Sequence, residues 1–272
     1  RVRRQRQMCI RDRNTTEVIW GIAFKKDLRM HSITWKLFSA SFGANWSLVR
    51  PFVNMYLMRD GNRFTDRTDY ATMQYMDEFQ NRDCRLMQTV ISPSYQRKIS
   101  GTVKPDAPNF SMTSTGYQLI KWAIDDDVHV GKATANNSIP IFRYAEVLLN
   151  LAESACGAGG TYHAEGVKAL KAVRGRVGYT SANNYGLDAA IETDRAKLFE
   201  AILYERQVEL AFEGKRAYDM RRWMLFDGGV GQGALNASWA LSGFGGNTCT
   251  YLGVTPMNER GKRYRIEINV EG

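Results

Sequence analysis

Residues 205–223 read ERQVELAFEGKRAYDMRRW, and this segment carries the densest pattern of charge in the chain. Glutamates stand at 205, 209 and 213 and are followed by Arg216, a spacing that places them along one face of a helix. Apolar residues occupy much of the remaining circumference, which predicts a helix buried on more than one side. Charges in such a helix must be paired, because burying a lone charge is costly. The segment therefore predicts a structural ion-pair network of Glu205, Arg206, Glu209, Glu213, Arg216, Asp219 and Arg222.

The same carboxylates could instead form a catalytic pair, as in a glycoside hydrolase. Each of them has an arginine within one helical turn, however, and a neighbouring arginine lowers the pKa of a carboxyl group and makes it a poor general acid. We therefore favour the structural role and predict no catalytic residue. The expected partners of Arg206 and Arg216 are the glutamates of this helix together with Glu146 and Glu153.

Three helices are predicted after residue 136. The first starts at Pro140, which suits the first turn of a helix, and glycines end it at 157–160. The second runs from about His163 to Arg174, and the third covers about 194–213. The first two, joined by a short glycine loop, form an αα-hairpin, the unit of helical-repeat proteins. The sequence predicts a mainly α fold with a TPR-like αα-hairpin core, a long irregular ligand-facing region and minor β structure.

The region before these helices is irregular. A β-like run covers residues 18–24, and Trp20 within it is predicted to lie in the core because its neighbours are apolar. Residues 92–116 are rich in Ser, Pro, Thr and Gly, which predicts a long exposed loop.

Several blocks of the chain resemble the SusD/RagB family, in the same order along the sequence. The quoted segment resembles the C-terminal signature of that family, and Cys84 stands where the family's R-D-P-R-L block has proline. The resemblance covers roughly residues 17–223, and its ordered blocks make it specific although each alone is weak. The matching blocks are residues 60–62, 81–86, 115–122, 142–153, 173–178 and 205–223.

The SusD/RagB resemblance implies a function and a location. The family comprises outer-membrane lipoproteins of Bacteroidetes that bind nutrients, mostly glycans, at the cell surface. It implies non-enzymatic glycan binding, delivery to a TonB-dependent, SusC-like outer-membrane porin, and membrane attachment only through a lipid anchor. We expect the chain to be an interior fragment of a longer protein, without the N-terminal half and the lipid-bearing cysteine of a full member.

Charge and composition bound the remaining possibilities. The 272 residues carry a net charge of +9, of which residues 1–13 supply +5 through six arginines and one aspartate. A basic arm on a near-neutral body is not the distributed stripe that nucleic-acid binding requires, so no nucleic-acid partner is predicted. We interpret residues 1–13 as an assembly artefact or a disordered tail, 14–135 as a loop-rich aromatic region, and 136–272 as the helical core. Residues 14–272 would form one incomplete domain.

The stretch 28–56 contains the residue types that bind sugars. Aromatic rings stack on the apolar face of a pyranose, and amide or guanidinium groups bond its hydroxyls. Trp46 is the predicted main platform, because the small and polar residues around it cannot bury an indole by themselves. The predicted glycan contacts are Trp46, Trp35, Asn45, Arg50 and Tyr56.

Metal and cofactor sites find little support. Three histidines are scattered, and the four cysteines include no C-x-x-C pair, so no zinc site or disulfide framework is predicted. Asp125, Asp126 and Asp127 form the only acidic run, and such oxygen clusters suit calcium. The run lacks the D-x-D-x-D-G spacing, so a solvated turn is favoured over a calcium site. No cofactor is predicted.

Two other function classes stay open. A helical-repeat adaptor for peptides would explain the αα-hairpin but not the aromatic stretch 28–56. A glycoside hydrolase needs two carboxylates about 5–10 Å apart across a cleft, and no such pair stands out in the sequence. Release of sugar from polysaccharide would separate the enzyme from the binder, and affinity electrophoresis would separate the glycan binder from the adaptor.

Overall fold

A computed structural model describes residues 17–223, so the predicted tail at residues 1–13 lies outside the described residues. Helices dominate the regular structure, which confirms the mainly α fold. None of the helices in this range is both long and apolar enough to cross a bilayer. The elements are β1 (Val18–Ile22), α1 (Ile33–Phe38), α2 (Arg50–Asn54), α3 (Tyr75–Glu78), α4 (Cys84–Thr89), β2 (Gln96–Ile99), β3 (Thr102–Pro105), β4 (Ile139–Arg143), α5 (Tyr144–Ala158), α6 (His163–Arg176), α7 (Arg195–Glu209) and α8 (Arg216–Arg222).

The chain forms two compact units. Among the described residues, the first contains 17–147 together with Arg174–Gly186, and the second contains Leu148–Val173 and 187–223. The first unit holds α1 to α4 and both small sheets, whereas the second is built mainly from the long helices together with α8. The domain limits drawn from the sequence, 14–135 and 136–272, stay predictions.

The second unit has a continuous apolar core contributed by α5, α6, α7 and the residues that follow. The first two of these helices pack closely at Gly166, where the lack of a side chain permits the approach. A Cβ built there would lie 3.0 Å from the carbonyl oxygen of Ala152. Gly159 and Gly160, which connect α5 to α6, both adopt positive φ, as a tight connection requires. This is the predicted αα-hairpin. The core residues are Leu149, Ala152, Cys156, Val167, Ala169, Leu170, Val173, Ile191, Leu198, Phe199, Ile202, Leu203, Leu210 and Trp223.

Helix α7 begins where the sequence predicts and ends earlier. The carboxylate of Asp194 accepts hydrogen bonds from the backbone N–H groups of Ala196 and Lys197, an N-cap that fixes the start. The helix ends at Glu209, four residues before the predicted end, and Phe212 then adopts a φ of +61°. The charge pattern continues past Glu209 with helical spacing, so it did not reveal this break.

The predicted helix start at Pro140 is wrong. Pro140 lies in β4, which pairs antiparallel with β1, and helix α5 begins only at Tyr144. Proline is tolerated here because the sheet has two strands, so each strand has an outer edge that needs no N–H donor. The strand pairing overrides the local helix-start signal. The local sequence could not reveal this pairing, because β1 lies more than a hundred residues away in the sequence.

The predicted burial of Trp20 is also wrong, since 65% of its side chain is exposed. Trp20 stands opposite Phe142 in the two-stranded sheet, and Ile19 beside it is exposed as well. No further layer of the described residues covers this part of the strand. Apolar neighbours in the sequence therefore did not mean an apolar environment in the fold.

Residues 92–116 contain more structure than the predicted exposed loop. Strands β2 and β3 form a hairpin in which Ser100 and Gly101 make the two-residue turn, both with positive φ. Ser92 and Thr113, near the two ends of the segment, are buried. The serine–glycine pair was a turn signal that the composition of the whole stretch concealed.

Buried polar side chains hold the irregular first unit together. The guanidinium of Arg82 is fully buried and donates to the carbonyl oxygens of Val53, Tyr56 and Glu78 at 2.7–3.1 Å. It also lies over the ring of Phe64, 3.8 Å from the centroid. One arginine thus links backbone acceptors at the C-terminal ends of α2 and α3.

Candidate functional site

Trp46 lies on the surface of the first unit, and 49% of its side chain is exposed. Asn45 beside it is exposed and adopts a φ of +48°, in the left-handed region that asparagine tolerates better than most residues. A sugar ring could therefore reach both side chains. The accessibility that the platform hypothesis requires is present, and the contact itself stays a prediction.

The loop that carries Trp46 is fixed at several points. The hydroxyl oxygen of Ser47 accepts from the backbone N–H of Ser114 at 2.8 Å, and the N–H of Leu48 donates to the carbonyl of Tyr117 at 3.0 Å. At Gly43 the chain approaches itself so closely that a Cβ would lie 2.0 Å from the carbonyl oxygen of Ser39. Such a loop presents its side chains in a defined geometry, which lowers the entropic cost of binding.

Trp35 and Phe42 form a second aromatic surface. Their ring centroids are 5.3 Å apart, Phe42 is 63% exposed, and Trp35 is half-buried. The ammonium group of Lys36 lies 5.0 Å from the Trp35 ring centroid and donates to the carbonyl oxygen of Phe42 at 2.9 Å. The accessible ring of this pair is therefore Phe42 more than Trp35.

Most of the guanidinium of Arg50 is engaged by other residues of the first unit, although 39% of the side chain is exposed. One Nη group donates to Glu78 at 2.6 Å and to the carbonyl of Tyr70 at 3.0 Å, and the other donates to the carbonyl of Ala71 at 3.1 Å. Glu78 is buried and also accepts from the hydroxyl of Tyr117 at 2.6 Å. Burial and this bond to a carboxylate raise the pKa of Tyr117 well above its ordinary value. Arg50 therefore positions residues 70–78, and its predicted contact with a glycan stays a prediction.

Tyr56 is not accessible to a glycan at the surface. Its side chain is fully buried, and its hydroxyl donates to the hydroxyl oxygen of Thr89 at 3.2 Å. Phe52 packs edge-on against its ring, with the centroids 5.6 Å apart. The predicted glycan contact at Tyr56 is wrong, because the short helix α2 turns this residue inward, an orientation that the loop-like sequence did not reveal.

A cleft of about 740 Å³ lies in the first unit, within the size range of pockets that bind small ligands. The Nε of Arg97 donates to Asp106 at 2.9 Å, and the guanidinium lies over the Phe38 ring, 4.3 Å from its centroid. Phe110 is 76% exposed at the same cleft. The lining residues are Phe38, Arg97, Asp106, Ala107, Pro108, Asn109, Phe110, Ser111, Met112 and Gln118.

The cleft and the Trp46 loop share their supports. Gln118 is buried, accepts from the backbone N–H of Asn109 at 3.0 Å, and donates to the carbonyl of Leu37 at 3.0 Å. It also forms a β-bridge with Ser47, next to Trp46. The sequence did not indicate Arg97 or Phe110, although an aromatic residue in the turn-rich stretch 105–111 was a visible signal.

The charged network of residues 205–223 is largely buried in the second unit. Arg206 donates to Asp219 from Nε at 3.1 Å and from Nη2 at 3.0 Å, so its carboxylate partner is Asp219 and not one of the expected glutamates. Arg222 pairs with Asp219 at 2.9 Å and with both oxygens of Glu153, which also accepts from the indole N–H of Trp223. These contacts tie α5, α7 and α8 together.

The remaining members of the predicted network differ in burial. Glu205 and Glu209 are buried in α7, with 1% and 4% exposure, whereas Glu213 and Arg216 are half-buried. A substrate cannot reach the two buried carboxylates, which removes them as a catalytic pair. The individual partners of Glu205, Glu209, Glu213 and Arg216 stay predictions.

The acidic run does not converge on one point. Asp125 is buried and accepts from the hydroxyl of Tyr95 at 2.7 Å, Asp126 pairs with Lys98 at 3.2 Å, and Asp127 accepts from a backbone N–H at 2.8 Å. Within residues 17–223, no group of three or more histidine, cysteine, aspartate or glutamate side chains has the geometry to hold a metal ion. The run thus serves as a set of separate structural acceptors.

Comparison with known proteins identifies the family. The family model described as the SusD family matches residues 16–248 of the chain. The chain belongs to the SusD family. A SusD-like protein P2 of Formosa agariphila is 38% identical over 97 residues, which cover 35% of this chain and 18% of that protein.

Two solved structures of SusD-like proteins from Bacteroides fragilis share the fold. One has a TM-score of 0.62 at 21% identity, over 83% of this chain and 47% of its own. The other, described as a SusD-like carbohydrate binding protein, has a TM-score of 0.55 at 24% identity, over 79% of this chain and 43% of its own. The chain thus spans less than half the length of each of these relatives.

The residues that resemble the SusD family form scaffold more than surface. In the block 81–86, Arg82 is the buried anchor described above, and Asp83 forms an ion pair with Arg85 at 2.7 Å. Burial would raise the pKa of Asp83, but the charge and hydrogen bonds of Arg85 outweigh it, so the pKa lies below its ordinary value. In this block the residues that resemble the family therefore hold the fold together.

Proposed function

We propose that this SusD-family chain binds oligosaccharide or polysaccharide at the cell surface without cleaving it. The observation that carries the proposal is the half-exposed indole of Trp46 on a fixed loop beside a ligand-sized cleft. An indole offers a broad apolar face with one N–H donor, which suits a pyranose ring with an apolar face and a polar rim. The solved relative described as carbohydrate binding supports the ligand class.

The proposal includes delivery of the glycan to an uptake system. In the full-length protein, a lipid anchor would hold this region on the outer face of the bacterial outer membrane. The partner would be a TonB-dependent porin of the SusC type that imports what the surface protein captures. Membership of the SusD family supports this placement, and co-purification of the full-length protein with such a porin would test it.

A binding site differs from an active site in what it needs. The two carboxylates that drew attention in the sequence are buried in α7, where they are inaccessible to substrate. The aromatic loop provides contact area and hydrogen bonds, which are sufficient for retention of a sugar. We therefore expect no release of sugar when the purified chain is incubated with polysaccharide, and turnover that survives repurification would contradict the proposal.

Affinity electrophoresis against a panel of polysaccharides tests binding directly. Trp46→Ala should weaken retention roughly thirtyfold, because aromatic anchors at interfaces contribute about 2 kcal/mol or more. Trp20→Ala is the matched control, since it removes an exposed indole from β1 that is not among the residues lining the cleft. Equal effects of the two substitutions, or unchanged retention by a folded Trp46→Ala variant, would refute the role of Trp46.

A further inference from the structure

We propose that the cleft of residues 106–118 binds an anionic substituent of the glycan, a uronate carboxylate or a sulfate ester, through the guanidinium of Arg97. This inference rests on the proposed function and specifies its ligand class. It concerns a site in the first unit whose lining residues do not include Trp46.

Arg97 is held in a fixed orientation. Its side chain is 12% exposed, the guanidinium lies over the ring of Phe38, and its Nε is bound to Asp106. Asp106 is fixed in turn, because its second oxygen accepts from the backbone N–H of Ala107 at 3.1 Å. The plane of the guanidinium is therefore set before any ligand arrives.

The two Nη groups of Arg97 form no hydrogen bond with the described residues 17–223. They belong to a side chain that lines the cleft, and a planar pair of N–H donors matches the two oxygens of a carboxylate or sulfate. A neutral hydroxyl offers one uncharged oxygen, whereas a carboxylate or sulfate offers two charged ones in the geometry of the fork, so Arg97 should bind an anion more strongly than an uncharged sugar.

The charges around the cleft favour an anion. Asp106 offsets the charge of Arg97, but Lys104 stands directly opposite Arg97 in the hairpin and is exposed. Cross-strand partners project to the same face of a hairpin, so Lys104 leaves one net positive charge there. No residue among the cleft lining apart from Asp106 carries a negative charge.

The cleft also offers contacts for the sugar that bears the anion. Phe110 is exposed at the cleft and presents a ring on which a pyranose can stack. The side-chain oxygen of Asn109 already accepts from the N–H of Ser111 at 2.8 Å, which leaves its amide N–H groups to bond a hydroxyl. The arrangement thus combines one charged fork, one apolar face and one neutral donor.

Matched pairs of polysaccharides test the inference with the full chain. Polygalacturonate is compared with its methyl ester, and carrageenan with its desulfated form, so that each pair differs in the anionic group alone. The wild type should be retained by at least one anionic form and at least tenfold more weakly by its neutral partner. The two pairs also distinguish a uronate from a sulfate ester.

Substitutions locate the effect in the cleft. Arg97→Gln should weaken retention by the anionic form tenfold to a hundredfold, as expected for loss of a charged hydrogen-bonded pair. Arg97→Lys keeps the charge but lacks the fork and should also lose most of the preference. Lys104→Gln, an exposed change that leaves the fold unaffected, should weaken it about threefold, and Arg63→Gln is the control for loss of a surface charge elsewhere.

The outcomes separate this inference from the proposed function. Equal retention by the charged and neutral forms, retention by neutral forms alone, or equal effects of Arg97→Gln and Arg63→Gln would overturn the anionic subsite and leave glycan binding standing. Retention by no polysaccharide of the panel would overturn both. A melting curve for each variant confirms folding, and Lys104→Gln decides the matter if both Arg97 variants unfold.

Discussion

Replacing Arg206 with alanine should destabilise the protein by about 3 kcal/mol, the lower end of the range for breaking a buried ion pair. Arg206 and Asp219 are 4% and 5% exposed, so the change leaves a buried carboxylate with fewer donors. Three hydrogen bonds disappear: two to Asp219, at 3.0 and 3.1 Å, and one to the amide oxygen of Asn150 at 2.7 Å.

The second partner of Asp219 keeps the loss of stability in Arg206→Ala at the lower end of this range. Arg222 still donates to Asp219 at 2.9 Å after the change, so the carboxylate keeps one cationic partner. Removal of Asp219 should cost more, up to about 5 kcal/mol, because it leaves the buried guanidinium of Arg206 without its carboxylate. Asp219→Ala should therefore be more destabilising than Arg206→Ala.

Urea unfolding followed by circular dichroism measures both free energies. With a slope of about 2 kcal/mol per molar, a loss of about 3 kcal/mol lowers the midpoint by about 1.5 M. Trp223 lies in the network with 4% exposure, and its fluorescence should follow the same transition. Arg221→Ala is the control, since Arg221 is an exposed arginine of α8 whose loss should change stability by about 0.5 kcal/mol at most.

One result would refute the reasoning. If Arg206→Ala shifts the midpoint no further than Arg221→Ala, the buried pair contributes nothing to the stability of the helical core. A double variant adds a sharper test, because replacing both partners with apolar residues removes the unpaired charge. Arg206→Met combined with Asp219→Leu should be less destabilising than either alanine substitution alone.

Two further predictions concern the first unit. Gly43→Ala should cost about 1–3 kcal/mol in thermal unfolding and weaken glycan retention, because its Cβ would lie 2.0 Å from the carbonyl oxygen of Ser39; Gly175→Ala, where the nearest atom is 3.4 Å away in a tyrosine ring, should be tolerated. Asp83 has a folded-state pKa below its unfolded value of about 3.9, so the unfolded state binds more protons and its ion pair with Arg85 stabilises the fold fully above about pH 5. That contribution should disappear as the pH falls through the lower folded value, so the stability difference between wild type and Asp83→Asn should shrink on acidification, and a constant difference from pH 7 to pH 2 would contradict the assignment.

The long helices could be predicted from the sequence because their signals are local. Helix α6 was expected over about 163–174 and covers His163–Arg176, and α7 starts beside its cap, Asp194. Periodic apolar residues, a capping side chain and terminal glycines all act within a few residues of one another. The same locality explains why the ion-pair network was visible, since Arg206, Asp219 and Arg222 lie within one short segment.

The elements that the sequence did not reveal depend on distant partners. Pro140 lies in a strand because β1 pairs with it, and the guanidinium of Arg50 is held by Glu78, 28 residues away in the sequence. The exposure of Trp20 depends on what covers the sheet, and the cleft depends on Gln118 meeting both α1 and the turn at Asn109. None of these contacts leaves a periodic trace in the local sequence.

The first unit shows how exposed loops can be held in place without a large sheet beneath them. Its short helices and two-stranded sheets supply few backbone partners, and buried polar side chains supply the rest. Arg82 binds three backbone carbonyls, Glu78 joins Arg50 to Tyr117, and Gln118 joins α1 to the turn of the cleft. Each anchor is buried and satisfied on several sides, so moving it would leave unpaired polar groups at a cost of about 1–3 kcal/mol each. The exposed side chains of Trp46 and Phe110 belong to none of these anchors, so substitutions there should leave the scaffold intact.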